Sequence, residues 1–238
     1  MFDRKKLISG IVLSTLTAAV LVTAPVVVLD ASPAAAAEEK AKKHPGKTVY
    51  ARNTCMACHG KDGKKSIQDY PNLAGQDKKY MISQIEDILS GKRTAGNDAT
   101  GHPRTEGMRG ALVTPEGTVR INAEQIEQVS DWLASMDPAD PTPLETPLTD
   151  EQVKEGEKLY KKAKCQTCHG KDGLKPLKGY PYIAGQKKAY IINQMNDVKN
   201  KIRDNGKIKT MYAFVKKMTD EEIDLLAAYL SQIDRNKK

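Results

Sequence analysis

The pattern C-x-x-C-H occurs twice in this chain, and the two copies use all four of its cysteines. The copies are Cys55–His59 and Cys165–His169, and each is followed directly by Gly-Lys-Asp-Gly. Two cysteines three positions apart on a short helical turn can each form a thioether to one haem vinyl group, while the adjacent histidine binds the iron as its proximal ligand. The sequence therefore predicts two covalently attached haem c groups. The predicted attachment and proximal-ligand residues are Cys55, Cys58, His59, Cys165, Cys168 and His169.

Two other kinds of site use the same residue types. A thioredoxin-like pair of redox cysteines needs no histidine after the second cysteine, and a zinc site shared by the two motifs needs no repeated sequence downstream. Both copies carry the histidine and the same following residues, and no cysteine is left over. Haem attachment is therefore the favoured interpretation.

The first 37 residues have the pattern of an export signal. A charged start at 3–6 precedes a run of apolar or small residues at 7–29, and 34–37 offers an A-x-A cleavage site. The sequence predicts a signal peptide at 1–37 and a mature protein in the periplasm, because bacteria complete this kind of haem attachment outside the cytoplasm. The apolar run is also about the length that spans a bilayer, which leaves an uncleaved anchor as the alternative.

The chain is an internal duplication. Moving the sequence by 110 residues superimposes the two haem motifs and their surroundings, and near the domain ends the offset falls to 97, so the first half carries 13 extra residues. The sequence predicts two domains of one design, at 38–137 and 149–238, joined by a semi-stiff linker at 138–148 with four prolines. The pairs related by the offset of 110 include Tyr50 and Tyr160, Tyr70-Pro71 and Tyr180-Pro181, Gln76 and Gln186, Tyr80 and Tyr190, and Gln84 and Gln194.

Both halves are predicted to be helical. Thr149 and Gln152 form a capping box that opens a helix through about Lys162. The last helix of each half begins at a similar box, at Asn122 and at Thr219, and continues with apolar residues at helical spacing. No stretch shows a convincing alternation of apolar and polar residues, so the expected fold class is all-α.

The paired C-x-x-C-H motifs, the paired Tyr-Pro-x-(Leu/Ile)-Ala-Gly-Gln segments and the final amphipathic helices resemble the dihaem cytochrome c4 family, over about residues 45–236. The resemblance implies two class I cytochrome c domains in tandem, each wrapped around one covalently bound haem, with the first and last helices of each domain crossing. It also implies that the two haems lie close together across the domain interface.

The duplication narrows the choice of the second iron ligand among eight methionines. A methionine thioether stabilises the reduced iron and raises its potential. Met108 and Met211 remain once the others are set aside. Each lies in the loop-like interval between the middle and last helices of its half, where the first half has a turn insertion around 114–117. The resemblance points to the same interval. The predicted ligand pairs are His59 with Met108 and His169 with Met211. The methionines set aside are Met1 in the signal, Met56 inside a haem motif, and Met81, Met136, Met195 and Met218, which align with isoleucines and fit core packing.

Two histidines lie outside the haem motifs. His102 is an alternative ligand for the first haem, because it lies in a Gly/Pro loop six residues before Met108. A histidine in such a loop is more often simply solvated. His44 lies in the Lys/Pro-rich mature start, has no duplicate, and is expected to be exposed.

Further pocket residues follow from the resemblance. In class I cytochromes a backbone carbonyl at a proline holds the second ring nitrogen of the proximal histidine, and Pro71 and Pro181 match that position. Four tyrosines are predicted to pack on haem or to bond to its propionates, although core packing alone explains them equally well. They are Tyr70, Tyr180, Tyr80 and Tyr190.

Positive charge is concentrated in the second half of the chain. Residues 38–137 carry a net charge of +1, whereas 138–238 carry +6. The surplus is either a solvated lysine-rich surface or a docking face for an acidic redox partner, because charge complementarity mainly accelerates encounter. A nucleic-acid partner is not expected for an exported chain without interleaved aromatic and basic residues.

The predicted function is that of a periplasmic one-electron carrier between a donor, such as a quinol-oxidising complex or a dehydrogenase, and a terminal oxidase or another acceptor. Six-coordinate haems leave no place for a substrate, so the chain is predicted to be a redox carrier rather than an enzyme. One alternative is the dihaem subunit of a complex similar to flavocytochrome c sulfide dehydrogenase. Another is a dihaem enzyme such as a peroxidase or a thiosulfate dehydrogenase, in which one iron is open or has an exchangeable ligand.

Overall fold

The structure is a computed structural model that describes residues 44–237. The predicted signal peptide at 1–37 lies outside the described residues. Within 44–237 the chain is helical, and its extended pairings are limited to two isolated bridges, Asn97 with Pro103 and Val113 with Val119. The expected all-α fold class is confirmed. None of the helices in this described part is long and apolar enough to cross a membrane.

Each half of the described chain contains five α-helices, in matching order. The first half contains α1 (Pro45–Arg52), α2 (Cys55–His59), α3 (Lys78–Leu89), α4 (Glu106–Leu112) and α5 (Ala123–Ser135). The second half contains α6 (Asp150–Lys162), α7 (Gln166–His169), α8 (Lys188–Lys199), α9 (Ile208–Val215) and α10 (Asp220–Ser231), with a short 3-10 turn at Lys171–Gly173.

The first helix of each half crosses the last at a glycine. A Cβ added at Gly46 of α1 would stand 2.0 Å from the carbonyl oxygen of Gln128 and 2.7 Å from the Cβ of Trp132 in α5. A Cβ added at Gly156 of α6 would likewise stand 2.6 Å from the Cβ of Tyr229 in α10. The absence of a side chain therefore lets the two backbones approach closely, and the crossing implied by the resemblance is present in both halves.

The predicted helix starts are confirmed by complete capping boxes. The side chains of Asn122, Thr149 and Thr219 each accept a hydrogen bond from the backbone N–H three residues on, and the Gln or Glu at that position accepts one in return. These bonds satisfy N–H groups that the first helical turn leaves without partners. Helix α6 ends at Lys162, as predicted.

Each half encloses its own hydrophobic core. Met81 and Met195 are 5% and 4% exposed, and Met218 is 6% exposed beside the last helix. Their aligned isoleucines Ile191 and Ile121 are buried as well. The expectation that these three methionines serve core packing is confirmed.

The segment at 138–148 forms no helix and lies along the end of the chain. The Gln232 side chain donates a hydrogen bond to the Thr142 carbonyl at 2.9 Å, and the Asn236 side chain donates one to the Pro138 carbonyl at 3.4 Å. These bonds anchor the connecting segment to the second half.

The 13 extra residues of the first half fall into two places. Six of them follow Met108 and include a turn at 114–117, whereas seven precede it. The earlier part contacts the second half, because Gly96 N–H donates to the Asp197 carboxylate at 3.0 Å and Arg104 pairs with the same carboxylate at 2.6 Å. The sequence predicted the turn but not the contact between halves.

Candidate haem sites

Each C-x-x-C-H motif forms a short helix, and all four thiols are free. Burial raises the pKa of the Cys55 and Cys165 thiols to about 11. A redox-active C-x-x-C pair relies on a lowered thiol pKa, so these cysteines do not fit that alternative. The zinc alternative lacks its ligand cluster, because residues 44–237 contain no group of three or more His, Cys, Asp or Glu side chains placed to share a metal.

The histidine of each motif is held by the carbonyl predicted to accept from it. Nδ1 of His59 lies 3.0 Å from the carbonyl oxygen of Pro71, and Nδ1 of His169 lies 3.0 Å from that of Pro181. A carbonyl can only accept, so Nδ1 carries the proton and Nε2 keeps a free lone pair. Burial lowers the pKa of both histidines, which favours the neutral form that binds metals.

Tyrosines contact each histidine and the turn that follows it. The rings of Tyr70 and Tyr180 approach the motif histidine of their own domain edge-on, with ring centroids 6.2 and 6.3 Å apart. The hydroxyls of Tyr50 and Tyr160 donate to the carbonyl of the glycine after each motif, at 2.6 and 2.7 Å. This second role was not predicted, although the offset of 110 residues pairs these two tyrosines.

Met108 and Met211 lie in short helices rather than in loops. Met108 belongs to α4 and Met211 to α9; each is half-buried and packs against the core of its own domain. The interval that was expected to be loop-like is therefore helical. Neither helix has a side-chain cap, and helices of seven or eight residues give little local signal.

The two remaining histidines are placed differently. The His102 side chain is 73% exposed and lies 3.9 Å from the carboxylate of Glu106, so it is a solvated loop residue. The expectation that His44 is exposed is wrong. Its Nδ1 accepts a hydrogen bond from Gly46 N–H at 3.1 Å and its Nε2 lies 3.0 Å from Asp131, so it caps α1 and ties it to α5.

Two arginines related by the offset of 110 reach across the domain interface in opposite directions. The Arg93 guanidinium donates to the Tyr190 hydroxyl at 3.0 Å. The Arg203 guanidinium, 3% exposed, donates to the Gln84 side-chain oxygen at 2.7 Å and to the Tyr80 hydroxyl at 3.4 Å. Tyr80 and Tyr190 are thus parts of an interdomain network.

Each half of the chain matches a family model of cytochromes. Residues 44–137 match the cytochrome c family model, and residues 151–230 match that of cytochrome c oxidase, cbb3-type, subunit III. Cytochrome c4 of Stutzerimonas stutzeri is 29% identical over 189 residues, which cover 74% of this chain and 82% of that protein. The crystal structure of reduced recombinant cytochrome c4 from Pseudomonas stutzeri superimposes with a TM-score of 0.62 at 27% identity, covering 79% of this chain and 96% of that one.

The chain contains two cytochrome c domains and is similar to dihaem cytochromes c4 over most of its length. It is a dihaem electron carrier with two covalently bound haem c groups, one in each cytochrome c domain. Another relative, named thiosulfate dehydrogenase electron acceptor in Thiomonas intermedia, is 26% identical over 75% of this chain and 77% of its own length.

The interface between the two domains has the chemistry to hold the acidic edges of haems. Within 44–237, neither Arg93 nor Arg203 forms an ion pair with a carboxylate, and Arg93 Nε is buried without a hydrogen-bond partner. Although burial raises the pKa of Tyr80, the charges of Arg203 and Arg93 lower it overall. The interface therefore carries unneutralised positive charge, and haem propionates are anions of the right chemistry to neutralise it.

Replacing Arg203 with glutamine is expected to lower the reduction potential of at least one haem. A buried positive charge near a haem favours the reduced iron, and its loss is worth on the order of 1 kcal/mol. Two variants serve as controls: Arg203→Lys keeps the buried positive charge, and Arg120→Gln removes an exposed positive charge. A spectroscopic redox titration that gave Arg203→Gln and Arg120→Gln the same potentials would contradict this role.

Proposed function

We propose that this chain transfers single electrons in the periplasm, from a quinol-oxidising complex or a dehydrogenase to a terminal oxidase or another acceptor. The observation that carries the proposal is the repeated histidine arrangement, in which Nδ1 is bound to a proline carbonyl and Nε2 is left for iron in both domains. Two equivalent sites of this kind suit a carrier better than an enzyme, which needs one haem with an open position.

The proposed iron ligands are one histidine and one methionine in each domain. When bound, each haem supplies the one-electron step. His59 and Met108 would bind the iron of the first haem, and His169 and Met211 would bind that of the second. A thioether ligand stabilises the reduced state, and His59 is buried in the first domain. The exposed position of His102 supports Met108 over the alternative ligand.

The thioether bonds and the pocket complete the proposed site. Cys55 and Cys58 attach the first haem, and Cys165 and Cys168 attach the second. The remaining proposed pocket residues fix the proximal histidines or contact their rings. They are Pro71, Pro181, Tyr70 and Tyr180.

The surface around α9 is the proposed docking face for an acidic partner. Lys207, Lys209 and Lys216 are exposed along this helix and its ends, and Lys207 also lies over the Tyr180 ring at 4.4 Å. The corresponding helix α4 of the first domain has mixed charge. Lysines next to the second haem would attract a negatively charged partner to that end of the molecule.

Reversing two of these charges, with Lys209→Glu and Lys216→Glu together, is expected to slow oxidation of the reduced protein by the ferricyanide anion about three- to tenfold at low ionic strength. The cationic oxidant tris(phenanthroline)cobalt(III) is expected to react faster. Stopped-flow absorbance measures both rates, and added salt should shrink both effects because it screens exposed charges.

The matched control is Lys154→Glu with Lys158→Glu, two exposed lysines on α6 of the same domain. This pair changes the net charge equally but lies on a different helix. If the control slows the ferricyanide reaction as much as the α9 pair does, the net charge acts alone and α9 is not a docking face.

One finding favours a thiosulfate dehydrogenase as the electron donor. The Thiomonas intermedia relative, which is 26% identical over 75% of this chain, is named as the electron acceptor of such an enzyme.

Purification tests the carrier function directly. Isolation from a periplasmic fraction as a free protein that accepts electrons from a partner supports the proposal. A stable complex with a flavoprotein would instead establish the subunit of a sulfide dehydrogenase.

A further inference from the structure

Two glutamines form reciprocal hydrogen-bond pairs across the domain interface. The Gln186 side chain accepts from Asn72 N–H at 3.0 Å and donates to the Asn72 carbonyl at 2.9 Å. The Gln76 side chain accepts from Tyr182 N–H at 2.8 Å and donates to the Tyr182 carbonyl at 3.0 Å. Gln76 and Gln186 are 7% and 8% exposed, so water competes little for these bonds.

Each pair acts on the peptide group that holds a proximal histidine. The peptide between Pro71 and Asn72 accepts from His59 Nδ1–H through its C=O, and the N–H of the same peptide donates to Gln186 of the other domain. In the second domain, the peptide between Pro181 and Tyr182 accepts from His169 Nδ1–H through its C=O at 3.0 Å, and its N–H donates to the Gln76 side chain. One planar, conjugated unit therefore joins each histidine to the opposite domain.

We infer that Gln186 and Gln76 are positioning residues that tune the proximal ligand of the haem in the opposite domain. Hydrogen bonds in a chain polarise one another, so donation by the peptide N–H strengthens its carbonyl as an acceptor. A stronger acceptor draws the Nδ1 proton further and makes the imidazole a more basic iron ligand. A more basic ligand favours the oxidised iron and lowers the potential of that haem.

The inference rests on the proposed ligation of iron by His59 and His169. Domain docking and haem potential are then coupled, because each domain supplies the glutamine oxygen that accepts from the peptide N–H behind the other domain's histidine. By linkage, oxidation of one haem strengthens the interdomain pair at its own peptide. The reduction potential of each haem then depends on the domain interface as well as on its own pocket.

The test replaces each glutamine with methionine, which has similar length and forms no such pair. In the full-length, haem-loaded, reduced protein, Gln186→Met is expected to move the His59 Nδ1–H proton resonance upfield and to speed its exchange with solvent about two- to tenfold. The His169 signal should stay in place. Gln76→Met should give the reverse pattern, and each variant should raise the potential of the haem in the domain opposite the substitution.

The NMR signals are assigned through the neighbouring rings of Tyr70 and Tyr180, which contact one histidine each. Gln232→Met is the matched control, because the Gln232 side chain donates to the Thr142 carbonyl of the connecting segment and touches neither proline-bearing peptide. It should move neither histidine signal.

The variant Gln186→Glu distinguishes a specific effect on the His59 hydrogen bond from a general loosening of the domain interface. A glutamate at this position keeps an oxygen that accepts from Asn72 N–H whether or not it is protonated. It should therefore hold the His59 signal at or downfield of its original position, opposite to Gln186→Met. Equal movement of both histidine signals in every variant, or movement only in the domain that carries the substitution, would overturn the inference. Wild-type imidazole signals without the ring-current shift of a haem ligand would instead refute the ligation.

Discussion

Replacing Met211 with alanine is expected to convert one of the two oxidised haems from low-spin to high-spin. The substitution should also remove about half of the methionine-to-iron charge-transfer band and lower the potential of that haem, because the thioether that stabilises the reduced iron is lost. Met211 is half-buried in α9 against the core of the second domain, and alanine there offers no donor atom. Visible absorption and electron paramagnetic resonance spectra of the oxidised protein measure all of these changes.

Met195→Ala and Met218→Ala are the matched controls, because both residues are buried methionines of the same domain that pack in its core. Each should lower the free energy of unfolding by about 2–5 kcal/mol and leave the charge-transfer band at full strength. Met108→Ala should repeat the Met211 result for the first haem. An unchanged spectrum of Met211→Ala, or half-loss of the band in a control, would refute the ligand assignment.

Replacing Gly46 with alanine is expected to lower the free energy of unfolding of the first domain by about 1–3 kcal/mol or more. The new Cβ would stand 2.0 Å from the carbonyl oxygen of Gln128, so α1 and α5 must separate. That separation loosens the packing of Tyr50 on Trp132, whose rings lie 5.0 Å apart. Thermal and denaturant unfolding followed by circular dichroism and haem absorbance measures the loss.

Gly110→Ala is the control for this prediction. Gly110 lies inside α4, and a Cβ added there meets nothing within 4 Å. Alanine should therefore stabilise the helix by about 0.5–1 kcal/mol, because glycine is unfavourable in a helix interior. Similar losses of stability in both variants would show that Gly46 does not mark a close helix crossing.

The local parts of the fold were predictable because their causes are local. The capping boxes at Asn122, Thr149 and Thr219 form within one turn, so their residues are visible in sequence. The haem motifs are equally short. By contrast, His44 caps α1 with a ring nitrogen rather than with the usual Ser, Thr, Asp or Asn, and its bond to Asp131 depends on packing 87 residues away.

The residues that form the interface between the domains were not predicted, because they depend on which surfaces face each other. The signal was nevertheless present in the duplication. Arg93 with Arg203 and Gln76 with Gln186 are related by the same offset of 110, and all four are polar residues that one isolated domain has no reason to bury. When polar residues are repeated at the same offset as core residues, the repetition indicates that both domains use the same surface for contact with each other.

The measurement that tests the carrier function most directly is a redox titration of the purified, haem-loaded protein followed by absorption and electron paramagnetic resonance. We expect two one-electron transitions, low-spin spectra for both haems when fully oxidised, a methionine charge-transfer band for each, and no reaction with peroxide. A haem that is high-spin when oxidised, or that reacts with peroxide, would contradict the assignment of two six-coordinate electron-transfer sites.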